Sequence, residues 1–136
     1  MPNNNITHGE EGNTLSIDEL KYDTAGLIPA VIQDSSDGAV LMLGYMNRES
    51  LRRTIKSGRV CFWSRSRSQF WLKGESSGNY FTLRSICTDC DADALLVRVT
   101  VEGSGVACHT GRRSCFFNLL PQAEKGFAEG GGCIDD

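Results

Sequence analysis

The feature that most constrains the fold is a strict alternation of residue types in the second half of the chain. From Leu95 to Val101 every second residue is Leu or Val, and the positions between them include Arg98 and Thr100. A period of two predicts a strand with one buried face. Apolar and aromatic runs between turn residues predict further strands, over residues 27–33, 39–45, 60–64, 69–73 and 79–87, and a new segment beginning at 106–108. We therefore expect mainly β-structure.

Helical periodicity is clearest in a single segment. Asn47 is predicted to cap a helix that ends near Ser57, and Gly58 provides the stop signal. Leu51 and Ile55 lie four residues apart and so share one face of this helix. The sequence therefore predicts an α+β fold, mostly antiparallel, with one clear helix.

Composition divides the chain into a core domain and two tails. Residues 1–14 are polar and rich in Asn and Gly, and they are predicted to form a flexible N-terminus. Residues 121–136 are predicted to form a loose, Gly-rich and acidic tail. Residues 15–120 form the predicted domain. Pro29 restricts the strand at 27–33 to a sheet edge or to a strand start, because proline donates no ladder hydrogen bond.

Charge and hydropathy exclude several classes of function. The 136 residues carry a formal net charge of −3, which argues against nucleic acid or an anionic membrane as the main partner. No apolar run approaches the ~20 residues of a membrane-spanning helix. The first ten residues contain neither a basic nor an apolar stretch, so we expect no export signal and a cytoplasmic location.

The six cysteines are predicted to serve metal binding, because thiols stay reduced in that compartment. Cys108 and Cys115 are separated by six residues that include Gly111, so a tight turn can bring both sulfurs to one ion. With Cys90 as a third ligand, a catalytic zinc site has its fourth position left for water or for His109.

Other readings of the thiols remain open. A closed site of four thiolates would use Cys87 and Cys90 with Cys108 and Cys115 and would do no chemistry. The same Cys-x-x-Cys pair could instead cycle as a redox disulfide. Cys61 is expected to be a buried apolar residue, and Cys133 is expected to be exposed.

Three alternate carboxylates make a second candidate metal site. Asp89, Asp91 and Asp93 would line one side of an extended chain, about 7 Å apart, with Cys90 on the other side. A hard divalent cation such as magnesium or calcium would neutralise their repulsion. An acidic, solvated turn is an equally good interpretation of the spacing.

A basic and aromatic stretch indicates binding of a small phosphorylated ligand. Arginines two apart project to one side of an extended chain and can bind phosphate bidentately. Serine hydroxyls add donors, and Trp63 or Trp71 could stack on a base. The candidate residues are Trp63, Ser64, Arg65, Ser66, Arg67, Lys73 and Glu75.

The motifs together resemble the phosphoribosyl-AMP cyclohydrolase family from about residue 26 to residue 117. The most specific motifs are Asp-Cys-Asp-Ala-Asp at 89–93 and Ala-Cys-His-Thr-Gly-Arg-Arg-Ser-Cys at 107–115. Phe-Trp-Ser-Arg-Ser-Arg at 62–67 and Lys-Gly-Glu at 73–75 also match.

The resemblance implies the third step of histidine biosynthesis, in which water opens the purine ring of 1-(5-phosphoribosyl)-AMP between N1 and C6. It implies an intertwined homodimer in which Cys90 of one subunit and Cys108 and Cys115 of the other bind zinc. Magnesium would be held by the three aspartates. His109 is the expected acid/base, and Arg112 and Arg113 are expected to join Arg65 and Arg67 on the substrate phosphates.

The chain departs from the family pattern at two positions. Asn79 stands where the family usually has histidine, and Cys87 is an additional thiol near the expected zinc ligands. The alternative to the hydrolase is a non-catalytic structural zinc-binding module.

Overall fold

A computed structural model describes residues 12–121 and residue 133 of the protein. Its elements in chain order are a 3-10 turn at Ile17–Glu19, β1 (Ile28–Asp34), β2 (Val40–Met46), α1 (Arg48–Ser57), β3 (Cys61–Ser64), β4 (Gln69–Leu72), β5 (Phe81–Thr88) and β6 (Leu95–Val101). This confirms the α+β class, and every strand predicted between residues 27 and 101 is present within a few residues of its predicted bounds.

Four strands form the main sheet, in the order β2-β1-β6-β5. The β1–β2 and β5–β6 pairs are antiparallel, whereas β1 and β6 are parallel. The sheet is therefore mixed at its centre, and the expectation of mostly antiparallel pairing holds for its two outer pairs. Pro29 lies at the start of β1, and the pairing with β6 begins one residue later at Ala30. Pro29, which has no N–H, therefore removes no hydrogen bond from the ladder between β1 and β6.

The predicted alternation builds the core. Leu95, Val97 and Val99 are buried, and the residues between them are partly exposed. Ala30 and Ile32 of β1 lie opposite Leu95 and Val97 and are likewise buried. The buried faces of β1 and β6 therefore form one continuous apolar layer.

Helix α1 begins and ends where its capping residues predict. The Asn47 side chain accepts a hydrogen bond from the Ser50 amide at 2.8 Å, and Gly58 adopts the left-handed conformation with φ 78°. Leu51 is buried, but Ile55 is 52% exposed. Thr54 is buried instead. Its hydroxyl remains hydrogen-bonded there, because it donates to the Ser50 carbonyl and accepts from the Cys61 amide.

The antiparallel pair β3–β4 packs beside the main sheet and carries aromatic residues. Phe62 of β3 is fully buried, and its ring centroid lies 5.1 Å from that of Trp71 on β4. Gly44 of β2 gives Phe62 its space, since a Cβ built on Gly44 would come within 2.6 Å of two ring carbons.

The segment after β6 and the two predicted tails can be compared with the sequence predictions. The residues after Val101, up to residue 121, form turns and irregular backbone, so the segment at 106–108 is not a strand. Most of the predicted N-terminal and C-terminal tails lies outside the described residues. No helix within residues 12–121 has the length and apolar character needed to cross a bilayer.

Candidate active site

The two sulfurs expected to share an ion are neighbours. Residues 107–115 form a loop closed by its own backbone, in which the Ala107 amide donates to the Arg113 carbonyl and the Cys108 amide donates to the Arg112 carbonyl. Gly111 has a φ of 92°, which glycine adopts without strain. The Cys108 and Cys115 sulfurs lie close enough for each to alter the pKa of the other. The loop therefore pairs the thiols as the sequence predicts.

The surroundings of these sulfurs favour a thiolate at Cys108. A hydrogen bond from the Thr110 hydroxyl, at 3.1 Å, lowers the pKa of Cys108, and the Cys115 thiol and the Lys73 ammonium act in the same direction. Desolvation of its sulfur and the neighbouring Cys108 sulfur raise the pKa of Cys115 to about 11. The two thiols thus differ in acidity, and Cys108 is the readier of the two to bind a soft divalent cation as a thiolate.

Lys73 connects β4 to the thiol loop. Its ammonium donates to the Ala107 carbonyl at 2.6 Å. Partial burial lowers the pKa of Lys73, while Cys115 and Cys108 nearby oppose that shift. The side chain therefore places a cation beside the sulfur pair.

A cleft of about 1060 Å³ gathers residues from three parts of the chain. The predicted residues that line it are Ser64, Ser66, Arg67, Lys73, Glu75, Cys108 and His109. The loop of β3–β4, the turn after β4 and the thiol loop thus meet at one opening, which is large enough for a nucleotide-sized ligand.

Trp71, Asn79 and Ser104 also line this cleft. Trp71 was one of the two tryptophans expected to be able to stack on a base, whereas Asn79 and Ser104 were not among the predicted site residues. The Asn79 carboxamide oxygen accepts from the amide and the hydroxyl of Ser104, at 2.9 and 3.1 Å. Trp71, 39% exposed, is the tryptophan that can meet a base. Two sequence features had already drawn attention to these positions. Asn79 departs from the family pattern, and Trp71 is one of the two tryptophans, with Trp63, in the basic and aromatic stretch.

The remaining predicted ligand-binding residues make other contacts. Trp63 packs edge-on against Phe70, with ring centroids 5.0 Å apart. The Arg65 guanidinium lies over the Tyr45 ring at 3.9 Å, and that of Arg112 lies over Phe117 at 4.2 Å.

Arg113 forms ion pairs with two carboxylates. Its guanidinium donates to Asp34 at 2.8 Å and to Asp37 at 2.9 Å. These hydrogen bonds raise its pKa further above an already high value, with Asp37 the larger contributor.

The three aspartates cluster, but the extended geometry expected for them is wrong. Residues 90–94 form a turn, and Ala92 has a φ of 62°. The Asp89 carboxylate accepts from the amides of Asp93 and Ala94, at 3.1 and 3.2 Å. Turning the chain brings an oxygen from each of the three carboxylates within 4.8 Å of the others, closer than in an extended strand and closer to what one cation needs.

Crowding of the carboxylates separates their proton affinities. A hydrogen bond to Asp89, together with the nearby charges, raises the pKa of Asp93. Desolvation alone would raise the pKa of Asp89, but the hydrogen bonds from the Asp93 and Ala94 amides outweigh it, and the pKa of Asp89 is lowered. Asp93 therefore keeps its proton to a higher pH than an isolated carboxyl group, and a divalent cation would displace that proton.

Cys90 lies with the aspartates, which corrects the expected opposite-face arrangement. Its thiol donates to the Asp91 carboxylate at 2.9 Å, and this bond raises the pKa of Cys90. Cys90 and Cys87 line a second cleft, of about 810 Å³, together with Leu51 and Ile55. Between residues 12 and 121, the aspartates are the only set of three or more Cys, His, Asp or Glu ligand atoms within 4.8 Å of one another. One chain therefore does not bring Cys90 to the other two sulfurs.

The other cysteines behave as predicted. Cys61 is buried, Cys133 is exposed, and all six cysteines are free thiols. No disulfide joins Cys87 to Cys90 in this structure.

Comparisons with known proteins agree with the family resemblance seen in the sequence. The family model described as phosphoribosyl-AMP cyclohydrolase matches residues 42–117, more than half of the chain. The chain is 55% identical to the phosphoribosyl-AMP cyclohydrolase of Ruegeria pomeroyi over 106 residues, covering 78% of this chain and 87% of that one. It is 50% identical to the enzyme of the same name from Marinobacter nauticus over 108 residues, covering 79% and 78%.

Longer relatives also match. The chain is 56% identical over 103 residues to the histidine biosynthesis bifunctional protein HisIE of Thermosynechococcus vestitus, covering 76% of this chain and 48% of that protein. The chain therefore spans about half the length of such bifunctional relatives.

Proposed function

Because the chain belongs to the phosphoribosyl-AMP cyclohydrolase family, we propose that it hydrolyses the N1–C6 bond of 1-(5-phosphoribosyl)-AMP. The product is the formimino-aminoimidazole-carboxamide ribonucleotide of histidine biosynthesis. The observation that carries the proposal is the cleft where Arg67, Lys73 and the Cys108–His109 pair meet. Free thiols at all six cysteines suit the reducing cytoplasm, where we place the reaction.

The cleft offers groups for each part of this substrate. Arg67 and the hydroxyls of Ser64 and Ser66 supply donors for a phosphate. Trp71 presents an exposed ring that can stack on the purine. Arg65, Arg112 and Trp63, which contact other side chains, are proposed to support the phosphate and base sites from their margins.

Cys108 and Cys115 are proposed to hold zinc together with Cys90 of a second subunit. Two thiols in contact, one of them favouring the thiolate, form half of a tetrahedral sulfur site. Within residues 12–121, no third Cys, His, Asp or Glu ligand atom joins them at ligand spacing. The exposed Cys90 can complete the site of another copy by giving up its hydrogen bond to Asp91, which makes a homodimer part of the proposal. Cys87, in the same cleft as Cys90, is a candidate fourth ligand.

Magnesium is proposed to bind the aspartate cluster. Three carboxylate oxygens within 4.8 Å of one another match the oxygen preference of a small hard cation. Asp89 is already oriented by backbone amides, so the cluster needs little rearrangement to bind an ion.

Proton transfer is assigned to His109. It is exposed on the thiol loop and lines the cleft, so its imidazole can deliver a proton to N1 as water adds to C6. Zinc, when bound by the thiolates, supplies a Lewis acid that makes water a better nucleophile near neutral pH. Lys73 and Arg67 keep the phosphorylated substrate in place while the proton moves.

The direct test is to incubate the protein with phosphoribosyl-AMP and follow the absorbance of the ring-opened product, with and without a zinc chelator. The chelator should abolish turnover. His109→Ala should retain zinc and lose most turnover, whereas Cys108→Ser should lose both. Cys133→Ser, which removes an exposed thiol outside the cleft, is the matched control and should retain both. Zinc retained in a wild-type protein without turnover would favour the structural zinc module.

Shared ligation is tested by mixing two inactive variants. Cys90→Ser and Cys108→Ser each destroy every site in their own homodimer. A mixed dimer keeps one intact site, so refolding an equal mixture should recover up to about a quarter of wild-type turnover. Failure of the mixture to recover any turnover would contradict ligation across subunits.

A further inference from the structure

The thiol loop is attached to the first hairpin of the fold at Arg113. The Arg113 guanidinium bridges Asp34, at the end of β1, and Asp37, in the turn before β2. The side chain of Asp34 is 14% exposed and that of Arg113 is 28% exposed, so this pair is largely shielded from water. Partial shielding makes an ion pair stronger than one on an open surface.

The hairpin end of this contact is rigid. The Asp34 carboxylate accepts from the amide and the hydroxyl of Ser36, at 2.8 and 2.7 Å. Its backbone is bonded to Ala39 and Gly38, each within 2.9 Å. The acceptor for Arg113 is therefore held in place by its own turn.

The other end of the contact lies within the thiol loop. The Arg113 carbonyl accepts from the Ala107 amide, and Ala107 is next to Cys108. The two residues that follow Arg113 bind β2. The Ser114 hydroxyl donates to the Val40 carbonyl at 2.9 Å, and the Cys115 amide donates to the Leu41 carbonyl at 2.7 Å. Arg113 thus lies where the two arms of the loop are joined and where the loop meets β2.

We propose that Arg113 is a positioning residue, whose ion pair with Asp34 holds Cys108, His109 and Cys115 in the arrangement that the reaction needs. The inference rests on the proposed function. It assigns Arg113 a role different from the phosphate contact expected from sequence, because two carboxylates already bind its guanidinium. A phosphate would have to compete with both of them.

The test compares Arg113→Met, Asp34→Asn and the double variant. Turnover of phosphoribosyl-AMP, the absorbance of cobalt bound in place of zinc, and thermal unfolding of the metal-free protein are measured for each. If the pair positions the loop, Arg113→Met should lower kcat about tenfold with KM within about twofold, and Asp34→Asn should lower kcat less because Asp37 still binds the guanidinium. The double variant should be no worse than Arg113→Met alone. The cobalt–thiolate absorption should weaken in both, and more in Arg113→Met.

The controls separate this role from its alternatives. Arg52→Met breaks a surface ion pair of the same 2.9 Å length on α1 and should change neither kcat nor the cobalt spectrum. A large rise in KM for Arg113→Met with Asp34→Asn unaffected would show a phosphate contact and overturn the proposal. Additive effects would overturn it too. If the wild-type protein shows no turnover, the proposed function fails, and the cobalt spectra and unfolding temperatures of the same variants decide the positioning role.

Discussion

Gly44→Ala is predicted to destabilise the protein and to disturb the active-site cleft from a distance. Gly44 lies on the buried side of β2, opposite Ala30. An alanine Cβ would stand 2.6 Å from two ring carbons of Phe62, whereas carbon atoms in contact prefer about 3.5–4.0 Å. Phe62 is fully buried, so the ring must move by about 1 Å in a densely packed core.

The size of the effect follows from two opposing contributions. Overpacking a core by one methyl group costs about 1–3 kcal/mol. Replacing glycine by alanine also restricts the unfolded chain, which returns about 0.4–1 kcal/mol. The expected net loss in free energy of unfolding is therefore about 1–2 kcal/mol. Because Phe62 packs on Trp71 of β4, the displaced ring should also shift a wall of the cleft.

Urea unfolding and steady-state kinetics together test this reasoning. Gly44→Ala should unfold at lower urea with an unchanged slope, and its KM should rise. Leu43→Ala is the control from the same strand, since Leu43 is 43% exposed and its loss should cost little stability. Adding Phe62→Leu to Gly44→Ala should cost less than it does in the wild type, because the smaller residue relieves the clash. A Gly44→Ala protein as stable as the wild type would refute the argument.

Three further outcomes are expected. Asn47→Ala should lower the free energy of unfolding by about 1 kcal/mol in urea titrations because the α1 cap is lost, whereas Asn47→Ser should keep most of it. Hydrogen bonds from Ser36 and Arg113 outweigh desolvation and hold the pKa of Asp34 below its usual 3.8, so its stabilisation is complete above that value and is lost as the pH falls below it. Asp34→Asn should therefore destabilise the protein at pH 7 more than at pH 3, and an equal loss at both pH values would contradict this. Gly103→Ala should raise KM severalfold because its Cβ would collide with the Asn79 carboxamide, whereas Gly105→Ala, with a similar φ of 80° and open space, should raise it less.

Local sequence signals predicted the helix and the strands well, but they did not predict which strands pair with each other. Asn47 and Gly58 mark both ends of α1, and the alternation from Leu95 onward marks β6, because these patterns reflect local geometry. The parallel pairing of β1 with β6 has no local signal, since a period of two specifies a buried face and not a neighbour. Pro29 was the nearest thing to a local signal for this pairing. One of its two predicted positions, the start of a strand, is compatible with an inner strand such as β1.

The candidate site was predictable by residue type and less so by conformation. Cys108 and Cys115 meet as their spacing predicts, since a glycine turn lies between them. The aspartate segment turns because Ala92 adopts a left-handed conformation, which its residue type does not indicate. The partners of Arg113 were not predicted because Asp34 is 79 residues away along the chain. Electrostatic partners over such separations come from tertiary structure.

The parallel β1–β6 pair also determines when the protein can fold. Strand β1 is synthesised before β6, and its inner edge stays open until β6, which begins at Leu95, has emerged. Closing so long a loop before any ladder bond forms is entropically costly and slow. Until then the inner edge of β1 has no partner strand, so in that period the edge is open to pairing with another chain or to binding by a chaperone.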